Sequence, residues 1–236
     1  MPRTLPFLKR RAPAFAVGLA VLLAATAALA HGVADKDAAF IQAHPGLQIV
    51  PFLYLGAKHM VTGYDHLLFL AGVIFFLYRM RDVGIYVTLF AIGHSTTLLA
   101  GVLLDIRADA YIIDAIIGVS VAYKAFDNLG GFRQLGWQPN ARGAVLIFGF
   151  FHGFGLATKL QDLTLSPDGM IPNLIAFNVG VELGQLLALS LILIVMNFWR
   201  LTASFRHNAV RANAVLMSAG FVLVGYQLTG YFTQGA

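Results

Sequence analysis

The sequence predicts an all-α membrane protein with six transmembrane helices that follow a cleavable signal peptide. Of its residues 58% are hydrophobic and only 11% are charged, whereas soluble domains carry about 25% charged residues. Apolar runs recur along the chain, and each is long enough to cross roughly 30 Å of hydrocarbon. Backbone groups inside lipid must be hydrogen-bonded within the protein, so these runs are expected to be helices.

The first segment, 1–30, is predicted to be the signal peptide. Basic residues precede an apolar run at 15–25, and small residues end the segment at Ala28 and Ala30. The basic residues are Arg3, Lys9, Arg10 and Arg11. Removing this segment lowers the formal charge from +5 to +1, which excludes a basic surface for nucleic acid. The alternative is an uncleaved first transmembrane helix, which the short run disfavours.

The mature chain is predicted to comprise a short periplasmic lead-in, 31–50, and one six-helix transmembrane domain, 51–236. The apolar segments are 51–78, 83–104, 110–126, 143–160, 172–199 and 212–232. The first exceeds the length of one span, so an interruption is expected near Thr62 and Gly63. Cysteine is absent, which excludes disulfides and thiolate ligands.

Basic residues between the segments predict the orientation in a bacterial inner membrane. With the mature N-terminus and the C-terminus both periplasmic, eight Lys and Arg residues lie in the cytoplasm and four lie outside. The eight are Arg79, Arg81, Lys124, Arg133, Arg142, Arg200, Arg206 and Arg211, and the four are Lys36, Lys58, Arg107 and Lys159. A cleaved signal peptide would produce the same polarity.

Polar motifs interrupt four of the apolar segments, at 59–66, 93–97, 151–155 and 178–185. At 1.5 Å per residue, His66, His94, His152 and Glu182 each lie about 15–20 Å from a membrane face. These groups therefore share a similar depth. Polar motifs in corresponding helices also suggest a possible 3+3 inverted repeat, an arrangement common in secondary transporters.

The residue types at this depth favour a transition-metal ion. Glu182 is the only glutamate in the chain, and an ionisable group at the bilayer centre costs about 2.5–3.5 kcal/mol on insertion scales. Imidazole with carboxylate suits Ni, Zn, Fe, Cu or Co. The candidate metal ligands are His59, Asp65, His66, His94, His152 and Glu182. Asp65 is also able to hold a histidine ring through its second nitrogen.

Other polar residues have weaker interpretations. Asn178 and Gln185 share a helix stripe with Glu182, and Ser95 and Thr97 follow His94, so these four are supporting polar residues. A lone intramembrane histidine is more often a hydrogen-bonding group than a ligand, and the glycines of the motifs favour close helix packing.

Two further assignments concern residues outside the motifs. Asp114, Lys124 and Asp127 lie towards the ends of the third segment and are expected at the membrane interface, without a role in the site. Cleavage after Ala30 would make His31 the N-terminal residue, whose amine and imidazole would offer a metal chelate, although an exposed histidine without this role is the favoured interpretation.

The four motifs in combination resemble those of the HupE/UreJ family of bacterial membrane proteins. Segment 59–66 is similar to that family's His-Pro-x-x-Gly-x-Asp-His element, with Met60 in place of the proline. The segments 93–98, 151–157 and 177–185 resemble a branch of the family that carries a signal peptide. The resemblance implies uptake of nickel or cobalt for urease or hydrogenase.

The function expected from these observations is a secondary permease for a divalent transition-metal ion, nickel or cobalt preferred. Its partners would be the lipid bilayer and the ion itself, and no enzyme activity is expected. A membrane-embedded metalloenzyme with a permanently bound metal is the first alternative. An accessory membrane protein for metalloenzyme maturation is the second.

Overall fold

A computed structural model describes residues 39, 41, 43–161 and 168–234 of the chain. Every regular element in this part is a helix, which confirms the all-α class. The helices are α1 (Ile49–Thr62), α2 (Tyr64–Ile74), α3 (Met80–Leu103), α4 (Ala110–Asn128), α5 (Gly131–Gln134), α6 (Ala141–Gln161), α7 (Met170–Arg200) and α8 (Ala203–Gln234). The predicted signal peptide, 1–30, and His31 lie outside the described residues.

Four of the described helices are long and apolar enough to cross a membrane, namely α3, α6, α7 and α8. The chain is therefore a multi-pass membrane protein by the length and composition of its helices. Helix α2 is apolar but shorter than a span, and α4 carries Asp114, Lys124 and Asp127 within its 19 residues. The count of six spans stays a prediction.

The expected interruption of the first segment occurs at Gly63, between α1 and α2. Its amide donates to the carbonyl oxygen of His59 at 2.8 Å, and its own carbonyl accepts from the amide of Leu67 at 3.0 Å. A side chain here would press on the His66 ring and the Asp65 carboxylate, which lie 3.0 and 3.1 Å from an added Cβ. Glycine therefore lets the chain turn directly beside two candidate ligands.

Glycines bring the helices together in three close pairs, α1 with α7, α3 with α6, and α4 with α8. A Cβ on Gly56 would collide with the Phe177 carbonyl oxygen, and one on Gly153 would collide with that of His94. Gly220 meets the backbone of α4 in the same way. Small residues allow such close approach in lipid, which confirms the packing role expected for the motif glycines.

The order of contacts gives the helix directions. Along α3 and α6, Phe90 meets Gly149 and His94 meets Gly153, so these helices run parallel, and α1 and α7 do the same. Along α4 and α8 the order is reversed, because Asn128 donates to Asn213 near the end of α4 and the start of α8. Parallel and antiparallel neighbours in this pattern are those that consecutive crossings of a membrane produce.

Candidate functional site

Four histidines meet between the helices, and we call His59, His66, His94 and His152 the histidine cluster. The centroid of the His66 ring lies 5.1 Å from that of His59, 5.7 Å from that of His94 and 4.8 Å from that of His152. His66, His94 and His152 are at most 2% exposed. The break at Gly63 places His66 close to His59 although seven residues separate them, a distance of about 10 Å along a continuous helix.

Two members of the cluster are held through one ring nitrogen. His66 Nδ1 lies 2.9 Å from Asp65 Oδ1, and His152 Nε2 lies 3.0 Å from Ser120 Oγ. Ser120 donates its own hydrogen to the Ile117 carbonyl at 2.6 Å, so its oxygen accepts a hydrogen from His152. An ionised Asp65 is likewise an acceptor, so it takes the hydrogen of His66 Nδ1.

These hydrogen bonds determine where the lone pairs are. His66 keeps its lone pair on Nε2, and His152 keeps its lone pair on Nδ1. Both atoms are buried without a hydrogen-bond partner among the described residues, as are His59 Nε2 and both ring nitrogens of His94. A buried polar atom without a partner costs about 1–3 kcal/mol, so five of them in one cluster call for a ligand.

Phenyl rings form the wall of the cluster. Phe90 lies 5.1 Å from the ring of His152 and 5.8 Å from that of His94, and Phe69 lies 5.1 Å from His152. Both phenylalanines are 1% exposed. This apolar wall lowers the local dielectric, so an interaction between the imidazole nitrogens and a cation would be stronger here than in water.

The donor atoms do not stand in a complete coordination shell. Over 43–161 and 168–234, no three histidine, aspartate or glutamate side chains are arranged as they stand to hold one metal ion. The rings pack edge to face, with interplanar angles of 68–81° about His66. The lone pairs converge only if the rings turn within the cluster.

Glu182 occupies a separate polar group on α7. Asn178 donates from Nδ2 to Ser95 Oγ at 3.1 Å, and Ser95 donates to Glu182 Oε1 at 3.1 Å. Within the described part of the chain, no histidine pairs with the half-buried Glu182 carboxylate. Ser95 directly follows His94 on α3, so the carboxylate adjoins the histidine cluster through one residue.

The remaining supporting residues hold helices together. Thr97 donates from its hydroxyl to the Phe150 carbonyl at 2.7 Å, and Gln185 donates to the Val87 carbonyl at 3.4 Å. These bonds join α3 to α6 and to α7. Both side chains bond to backbone carbonyls, so their contacts are structural.

Two residues have roles that the sequence did not reveal. Ser120 orients His152, and the signal available for it was a lone hydroxyl at mid-depth in an apolar segment. Asp114 was expected towards the end of the third segment without a role in the site, and its side chain is only 8% exposed and pairs with Lys159 at 2.9 Å. The aspartate lies on the inner face of α4, where a buried charge needs this partner.

No curated protein and no solved structure matches the chain. The family model described as HupE / UreJ protein matches residues 35–235, which is most of the chain, and the chain therefore belongs to the HupE / UreJ family.

Proposed function

We propose that the chain is a membrane permease for a divalent transition-metal ion, nickel preferred and cobalt second, and that the ion passes through the histidine cluster. The family is associated with nickel or cobalt uptake and with urease or hydrogenase maturation. The observation that supports a metal ion as cargo is the set of five buried imidazole nitrogens without a hydrogen-bond partner in the described chain.

The chemistry of the donors suits this cargo. Neutral imidazole is a good ligand for Ni, Co, Zn and Cu, whereas Mg and Ca prefer oxygen ligands. Asp65 and Ser120 hold His66 and His152 in the ring orientation and tautomer that leave one lone pair available, as outer partners do in metal sites. His59 and His94 complete the imidazole set.

An incomplete shell is what a carrier requires. A permease has to release its ion, so its ligands need two arrangements that bind with different strength. In this proposal the rings turn about His66 to bring their lone pairs together on the ion, and they turn back to release it. Ser95, which follows His94 in the chain, donates a hydrogen bond to Glu182. We therefore assign Glu182 as the carboxylate that contacts the ion on its way to or from the histidine cluster.

The setting is the lipid bilayer. Arg79, Arg142 and Arg200 lie at the ends of α3, α6 and α7 that share one side of the bundle. Excess positive charge on the cytoplasmic side then gives a bacterial inner-membrane protein whose mature N-terminus and C-terminus are periplasmic.

The test is nickel binding and uptake by histidine variants in proteoliposomes. We expect His66→Ala and His152→Ala to lose nickel uptake. We also expect each to weaken nickel binding by at least about 10–100-fold, which is the loss found when a residue that only supports a metal ligand is removed. His207→Ala is the matched control, because His207 is exposed on α8 and bonds to the Ala203 carbonyl away from the cluster. Unchanged uptake by His66→Ala at equal expression would contradict the proposal.

Metal retention separates the alternatives. A metalloenzyme with a resident metal would purify with near-stoichiometric metal that resists chelation, whereas a permease exchanges its ion. An accessory protein for metalloenzyme maturation would bind no nickel in detergent, and the histidine variants would change only its stability. Elemental analysis of wild type and His152→Ala, before and after mild chelation, distinguishes all three.

A further inference from the structure

The two halves of the membrane domain repeat one another in their helix contacts. On α1, Leu53, Gly56 and His59 have the same spacing as Leu146, Gly149 and His152 on α6. Gly56 lies against the Phe177 carbonyl of α7, and Gly149 lies 2.6 Å, measured from an added Cβ, from the Phe90 carbonyl of α3. Equivalent glycines therefore meet equivalent phenylalanines in the pairs α1 with α7 and α6 with α3.

The partner helices show the same correspondence. Gly93 follows Phe90 on α3 at the spacing at which Gly180 follows Phe177 on α7. A Cβ on Gly93 would meet the Leu146 carbonyl at 2.5 Å, and one on Gly180 would collide with that of Leu53. These are again matched positions, so exchanging the two halves converts one helix pair into the other.

The third helices of the halves, α4 and α8, cross each other at a reciprocal contact. A Cβ on Gly118 would lie 3.1 Å from the Gly220 carbonyl, and one on Gly220 would lie 2.9 Å from that of Gly118. Ala122 and Val224 meet the opposite glycine through their amide nitrogens at 2.6 and 2.9 Å. A reciprocal contact between antiparallel helices marks a two-fold axis, the relation of an inverted repeat.

One contact breaks this symmetry. Helix α4 packs on α6, where Gly155 meets Ile113 and Ile117 within 3.2 Å of an added Cβ and Ser120 is fully buried beside His152. The equivalent contact would join α8 to the end of α1. There Thr62 is exposed, and the α8 residues matched to Ile113 and Ser120 are Val215 at 42% and Val222 at 57% exposure.

The α4–α6 contact, which has no counterpart in the other half, includes the Lys159–Asp114 ion pair. Lys159 lies seven residues, about 10 Å, beyond His152 on the same face of α6, near the membrane side where α6 ends. Its ammonium is within 2.9 Å of the Asp114 carboxylate, and Gln227 of α8 approaches the same carboxylate at 3.4 Å. The pair thus joins α4 to α6 between the histidine cluster and that side of the membrane.

We propose that the contact of α4 with α6, fastened by Lys159 and Asp114, is a gate, and that the second state of the protein docks α8 on α1 instead. This inference rests on the proposed transport function. In the second state each half takes the conformation that the other half has now, about the α4–α8 crossing. The glycine contacts of α1 with α7 and of α3 with α6 are preserved. The α4–α6 contact is replaced by an α8–α1 contact on the opposite side of the histidine cluster. Separation of the ion pair also leaves an ammonium beside the cation path until Asp114 pairs with it again.

The test uses thiol cross-links, for which the natural absence of cysteine is convenient. We expect Asp114→Cys/Lys159→Cys to transport nickel when reduced and to lose uptake when joined by a short bifunctional methanethiosulfonate, with recovery on reduction. Each single cysteine variant is treated alike, and the reagent should not change its uptake, whatever uptake that variant has before treatment. Undiminished uptake after complete cross-linking would overturn the gate, as would a reduced double variant that binds nickel but does not transport it.

A second variant tests the opposite state. Thr62→Cys/Val215→Cys replaces two exposed residues, so folding should not suffer, and we expect the pair to cross-link during nickel turnover with loss of uptake. Absence of that cross-link, with and without nickel, would overturn the exchange and decides the question if the first double variant does not fold. Wild type is measured in parallel, because failure of wild type to take up nickel contradicts the transport function rather than the gate.

Discussion

The ring of His152 is oriented by Ser120, whose own hydroxyl hydrogen is already used in another hydrogen bond. Ser120 gives its hydrogen to the Ile117 carbonyl and therefore presents only an acceptor to His152 Nε2. The serine is fully buried, so water does not compete for that bond. One hydroxyl thus decides which nitrogen of His152 keeps a lone pair towards the cluster.

Replacement of this hydroxyl should weaken metal binding without removing any ligand. We expect Ser120→Ala to lower nickel affinity about tenfold or more, because partners that orient metal-binding histidines contribute that much. Isothermal titration of nickel into detergent-purified protein measures the effect. Ser218→Ala is the control, since Ser218 is exposed on α8 and bonds within its own helix. Equal affinity of the two variants would show that Ser120 has no part in binding.

At the scale of the helices, the close pairs depend on glycine more than on apolar side chains. Lipid chains are as apolar as leucine, so burial of leucine against leucine drives association weakly in a membrane. Backbone contact across Gly56, Gly180 and Gly184 lets α1 approach α7 closely, and large apolar residues of α7 remain exposed on the opposite side. The positions of the glycines therefore determine which helices pack against each other.

Adding a single methyl group at a glycine of these contacts should lower the stability of the protein. We expect Gly180→Ala to destabilise the protein by about 1–3 kcal/mol, because its Cβ collides with the Leu53 carbonyl and the backbones must separate. Thermal unfolding in detergent measures the loss. Gly225→Ala should be neutral or slightly stabilising, because nothing lies within 4 Å of an added Cβ there and alanine favours a helix. A Gly180→Ala protein as stable as wild type would contradict the proposed close packing.

At the scale of the whole molecule, an imidazole cluster would make binding of the proposed metal ion depend on pH. A protonated imidazole has no lone pair, so protons compete with the metal for the same nitrogens. We expect nickel affinity to be retained at neutral pH and to fall once the pH is low enough for protons to occupy the imidazole nitrogens. Equilibrium binding from neutral to acidic pH provides the check, with the His207→Ala variant following wild type. Affinity that does not change with pH would exclude imidazole ligands.

Much of the candidate site could be predicted from residue type and depth alone. Buried histidines in an apolar sequence are few, and His66, His94 and His152 were all expected at one depth, where the structure brings them together. Asp65 is next to His66 in the chain, so their contact needs no tertiary information. Glycine at position 63 likewise predicted the break between α1 and α2.

Other features depend on the rotation of each helix about its own axis. Asp114 was expected near the end of its span, and only the rotation of α4 shows that the aspartate faces inward to Lys159. Ser120 resembles any small residue of a span until its helix is placed against His152. Glu182 shares the depth of the histidines, yet α7 directs it to Ser95.

By itself the sequence determined that the chain is helical, that it belongs in a membrane and which polar side chains are candidates for its chemistry. Hydrophobicity, charge and residue type are local properties, so they can be read without knowing which helices touch. Only the tertiary structure decided which imidazole nitrogens are unpaired and which glycine faces meet between the helices. Those features arise from contacts between helices, whose rotation and crossing are set by packing across the whole bundle.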